Sequence, residues 1–96
     1  YKYSYDLSEE WKSYTGMPFV FACWIANKKL DETTLSLFYQ ALKFGIENRD
    51  KSIASSGLPI DEKTLNNYVY NCISYKYDKG KQDAMNLFLK LGKEIA

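Results

Sequence analysis

No histidine occurs in the chain, and cysteine and proline are each present only twice. The missing histidine removes the commonest general base and the commonest metal ligand. A zinc site built from this chain, or a Ser-His-Asp triad within it, is thereby disfavoured to the point of exclusion. Cys23 and Cys72 stand far apart, in apolar surroundings and without C-x-x-C spacing. They read as small buried thiols rather than as a disulfide or a metal site. So sparse a use of cysteine fits a cytoplasmic protein. An excess of either charge is missing as well: 13 basic residues face 12 acidic ones, for a net charge of +1. That balance argues against nucleic acid as a partner. The longest uncharged apolar run, Met17 to Ala26, is too short to span a bilayer, and no signal-peptide pattern is visible, so no membrane association is expected. Internal repeats and low-complexity segments are absent.

What is present is a chain of 96 residues, 46% hydrophobic and 26% charged, the balance of an ordinary globular domain. It begins at Tyr1, not Met, already within a strand-like pattern, and the expectation is a fragment. In "YKYSYD" Tyr1, Tyr3 and Tyr5 alternate with Lys2, Ser4 and Asp6, which predicts a half-buried strand. Asp6 then caps a short helix over about Leu7 to Tyr14, with Glu9 completing a capping box and Trp11 and Tyr14 on its inner face. The helix ends at Thr15-Gly16.

Residues 18–27 predict a second strand. Phe19, Phe21, Cys23 and Ile25 occupy one side, and Val20, Ala22, Trp24 and Ala26 the other. Two apolar faces call for cover on both sides, as in the middle of an α/β sheet. Asp31 caps a long helix whose apolar stripe is Leu35, Phe38, Leu42, Ile46 and Ile53, ending at Ser56-Gly57. Asp61 caps a third helix, with Leu65, Tyr68, Val69, Cys72 and Ile73 facing inward. After "SYKYD", Asp78 caps a fourth, with Ala84, Phe88, Leu91 and Ile95 inward and Met85 and Leu87 widening the face. This chain supplies no central partner for the doubly apolar strand, and unpaired buried backbone groups are costly. Its partners are expected on missing chain or on another subunit.

Few residues suggest chemistry. Glu9 and Glu10 point about 100° apart on a helix and do not converge, so neither reads as a catalytic acid or base. The interleaved Tyr and Lys of "YKYSYD" and "SYKYDKGK" read as half-buried extended segments, not as a stacking platform for bases. Gly80 in "DKGKQD" lacks the spacing and the preceding strand of a phosphate loop. "TGMP" admits two readings. A hydroxyl and backbone N–H groups in a turn stiffened by proline can face a small anion; equally, the turn can be a helix stop followed by a strand start.

Taken together, "YDLSEEWKSYTGMPFVFACWIANK" resembles the Asp-Leu-Gly-Glu-x-Trp…Thr-Gly-Leu-Pro-Phe-Val-Phe-Ala-x-Trp segment of the chorismate dehydratases of menaquinone biosynthesis by the futalosine pathway. The tail "YNCISYKYDKGKQDAMNLFLKL" is similar to that family's C-terminal ending. Ser8 stands for the usual Gly and Met17 for the usual Leu, and the N-terminal half of family members has no counterpart here. The resemblance implies the C-terminal portion of a type II periplasmic-binding-protein-like fold: α/β, mostly helical in this segment, with one doubly buried central strand. Residues 1–27 would end the second lobe and form the crossover strand, and residues 28–96 would be a helical segment on the first lobe. The implied activity is a carbon–oxygen lyase reaction, chorismate to 3-[(1-carboxyvinyl)oxy]benzoate, with no metal or redox cofactor. The segment alone would be inactive, the base lying in the missing half. Thr15, Gly16, Pro18 and Phe19 would line the substrate cleft, and Trp24 would be packing. The implied partners are a small carboxylate substrate and the missing half or another subunit. A solute-binding or sensor protein that holds a small carboxylate without turnover is the alternative, and a self-pairing interaction module a third.

Overall fold

A computed structural model describes residues 1–95, and these form two units, Tyr1–Ile25 with the chain from Lys76 onward, and Ala26–Tyr75. Five α-helices account for most of the ordered backbone: α1 (Leu7–Thr15), α2 (Glu32–Glu47), α3 (Arg49–Ala54), α4 (Glu62–Asn67) and α5 (Lys79–Ile95). A π-helical turn, Tyr68–Cys72, continues α4.

The expected α/β class and the doubly buried central strand are overturned: the described residues contain no strand and no sheet. Residues 18–27 run without regular structure, and Phe21, Trp24 and Ile25 are 79%, 76% and 86% exposed. The first expected strand fails likewise, with Tyr1, Tyr3 and Tyr5 all exposed. The physical reason lies in what alternation reports. It states which side chains gain from burial, whereas a strand also needs a neighbouring backbone to complete its hydrogen-bond ladder. No such neighbour exists among the described residues. The cysteines are corrected with the strand: Cys23 and Cys72 are free thiols, as expected, but both are exposed, not buried.

In the first unit, the Asp6 carboxylate accepts from the Ser8 and Glu9 N–H groups at 2.9 and 3.2 Å and so starts α1. Glu9 makes no return bond, so the expected capping box is only half formed. Gly16 ends the helix in the left-handed region at φ 71°, donating its N–H to the Lys12 carbonyl at 2.8 Å. Asp78 caps α5 by accepting from the Lys81 N–H at 3.0 Å. Ala84 of α5 is buried, and Met85, Leu87 and Leu91 are half-buried around it.

In the second unit, Asp31 and Asp61 cap α2 and α4 in the same way, accepting from the Thr34 and Thr64 N–H groups at 2.7 and 2.8 Å. The predicted long helix is two helices. Asn48 leaves helical geometry at φ −110°, ψ 26°, and its side chain donates to the Phe44 carbonyl at 2.8 Å, closing α2 while α3 restarts at Arg49. The predicted stripe holds across the break: Leu35, Phe38, Leu42 and Ile46 are half-buried and Ile53 is buried. α3 packs against α4.

Candidate functional site

The turn that the sequence singles out is built by α1 and closed on itself. The Thr15 hydroxyl donates to the Trp11 carbonyl at 2.7 Å and accepts from the Met17 N–H at 3.1 Å. The Gly16 N–H is committed to Lys12. The Trp11 indole N–H donates to the Pro18 carbonyl at 3.0 Å, tying the far end of the turn to the helix before it. Pro18 has no N–H and fixes its own φ. Three hydrogen-bond donors of the turn are therefore spent internally, and what the turn presents outward is shape.

That shape is set by an aromatic cluster. Phe19 meets Trp11, Phe21 and Phe88 edge to face, with ring centroids 6.1, 5.1 and 5.5 Å apart. Trp11 also meets Phe88 at 5.7 Å. Such pairs are worth about 0.5–1.5 kcal/mol each beyond simple burial. Of the four residues assigned to a cleft, Thr15, Pro18 and Phe19 are half-buried and Gly16 is exposed, and all four lie within this one turn. Trp24, expected to pack, lies on the surface. Two shallow surface concavities run along single helices, one beside Leu35 and Tyr39 of α2 and one beside Leu89 and Lys93 of α5; the turn lines neither. No group of three or more carboxylate or thiol side chains among the described residues is placed to hold a metal ion.

The second unit holds a constellation that the sequence reading passed over. The Arg49 Cζ lies 4.1 Å from the centre of the Tyr70 ring and 5.3 Å from that of Tyr75. Its Nε donates to the Ile46 carbonyl at 2.7 Å. The Tyr70 hydroxyl donates to the Asp50 carboxylate, and the Tyr75 hydroxyl to the Val69 carbonyl at 2.9 Å. The hydrogen bond to Asp50, with desolvation and the Asp50 charge adding, raises the Tyr70 pKa above its ordinary 10.0, and the Arg49 cation opposes that rise. The π-helical turn carries Tyr70, and such turns are frequent at functional sites. One signal was available: Arg49 is the single arginine among 13 basic residues.

Comparison with known proteins adds the class to which these features belong. No helix among the described residues is long and apolar enough to cross a membrane. A family model for menaquinone biosynthesis matches residues 1–94, and the chain belongs to that family. Membership agrees with the resemblance carried by residues 5–28 and by the C-terminal tail, and implies an enzymatic role in making menaquinone. No curated protein and no solved structure matches the chain.

Proposed function

We propose that this chain is part of a chorismate dehydratase, a cytoplasmic lyase that converts chorismate to 3-[(1-carboxyvinyl)oxy]benzoate in the futalosine pathway. The observation that carries the reading is the segment "YDLSEEWKSYTGMPFVFACW", which lies wholly inside the residues matched by the menaquinone biosynthesis family. In the reaction the substrate ring loses its hydroxyl and a ring proton as water and becomes aromatic. The gain in aromatic stabilisation drives the step, so the protein's contribution is to fix the substrate and to place a base. Thr15, Gly16, Pro18 and Phe19 serve as a wall of the substrate cleft. Internal bonding suits the turn to this role, because a wall that spends its own donors stays rigid and excludes water.

The chain works covered by another part of the same protein or by another subunit, which supplies the base and the carboxylate donors. Support comes from the exposure of Phe21 and Ile25, apolar side chains beside the turn. The 96-residue chain alone is inert. Mixing chorismate with the intact protein that contains this segment should give the aromatic product, followed by its ultraviolet absorbance. Binding of chorismate without turnover would overturn the reading in favour of a solute-binding protein, and turnover by the 96-residue chain would overturn its dependence on a partner.

A further inference from the structure

Arg49 is the chain's single arginine, and none of the chemistry above uses it. Its guanidinium is held in two ways. One edge is anchored by the Nε–H bond to the Ile46 carbonyl, and one face lies over Tyr70 with Tyr75 close by. The terminal nitrogens on the other edge make no hydrogen bond or ion pair among the described residues. Asp50, the acid next in sequence, accepts from the Tyr70 hydroxyl and forms no ion pair with Arg49. Arg49 is half-buried, whereas the lysines of the two ion pairs are 76% and 85% exposed in their side chains.

A lysine could not replace this arrangement. Its ammonium is a point charge that neither stacks flat on a ring nor presents parallel donors, whereas the guanidinium does both. Two N–H groups side by side match the two oxygens of a carboxylate. A side chain already anchored and stacked gives up little further freedom when it binds, which favours a small ligand that brings few contacts of its own. We propose that Arg49, held by Ile46, Tyr70 and Tyr75, is a binding site for a small carboxylate. This inference stands on the geometry of Ala26–Tyr75 and is independent of the dehydration reaction.

The single arginine makes the test direct, because its Nε–H gives one side-chain resonance in a proton–nitrogen NMR spectrum. The 96-residue chain is titrated with benzoate and, in a parallel arm, with inorganic phosphate. Benzoate should move the Arg49 signal and the Tyr70 and Tyr75 ring signals along a saturating curve, with phosphate the weaker ligand. Arg49→Lys, followed on the tyrosine signals, should weaken benzoate binding about tenfold or more. Asp50→Asn, which removes the negative charge next in sequence to Arg49 and bonded to Tyr70, should tighten it about twofold. No saturation with benzoate, phosphate binding as tightly, or Arg49→Lys binding as well as the parent would each overturn the proposal. If circular dichroism shows that Arg49→Lys does not fold, the parent titration and Asp50→Asn decide, and unchanged or weaker binding by Asp50→Asn counts against the site.

Discussion

At the scale of the residue, the Thr15–Phe19 turn depends on a few atoms. Gly16 is the clearest, because its φ of 71° lies where a Cβ is strained, although nothing stands within 4 Å of the position that Cβ would take. Gly16→Ala should therefore cost about 1 kcal/mol through backbone strain alone, with no clash to add. Urea denaturation followed by far-ultraviolet circular dichroism would measure it, and a neutral or stabilising substitution would refute the assignment of strain. Thr15 was legible in the sequence as a turn residue, but its partners were not. A hydroxyl before a glycine can face a ligand or fold back on its own helix, and only the placement of the Trp11 carbonyl decides.

At the scale of the element, the four aspartates Asp6, Asp31, Asp61 and Asp78 were readable as helix starts, because capping is local chemistry between a carboxylate and N–H groups two or three residues on. Asp6, Asp31 and Asp61 have pKa values below the ordinary 3.8, set chiefly by hydrogen bonds from Ser8, from Thr34 and from Thr64 respectively. A carboxylate whose folded pKa is depressed contributes stability that is fully present above its unfolded value and is lost as pH falls through the folded one. Helicity should hold from neutral pH down to about 4 and fall below that range, and the acid-induced loss should shrink in Asp31→Asn, since asparagine caps without titrating. A circular dichroism titration reads both, and an unchanged acid transition in Asp31→Asn would count against the cap as its source. The break at Asn48 and the π-helical turn escaped the sequence because the apolar stripe runs through the break and no residue type marks the turn. The strands were misread for the opposite reason: their pattern was strong, but the backbone that would pair with them lies outside local sequence.

At the scale of the whole molecule, surface dominates. Only Ile53 and Ala84 are buried among the described residues, and neither is fully enclosed. Backbone amides of residues 18–27 should exchange with solvent at nearly the rate of an unstructured peptide in the 96-residue chain, because that segment carries no ladder. Amides within α2 and α5 should exchange measurably more slowly. Strong protection of residues 18–27 in this chain on its own would show that it satisfies those groups internally or by self-association, and would remove the argument for cover from elsewhere.

The π-helical turn at Tyr68–Cys72 is, in phase, an α-helix with a surplus residue. Each helical residue turns the chain by about 100°, so deleting one residue from this turn would restore ordinary helical spacing and rotate everything just beyond it by that amount. With the deletion at Asn71 or Cys72, Tyr70 would keep its place after α4 while Tyr75 swung away from Arg49. The cradle around the guanidinium is thus encoded in a count of residues as well as in their kinds, and a relative lacking one residue here would keep the arginine and both tyrosines yet lose their meeting point.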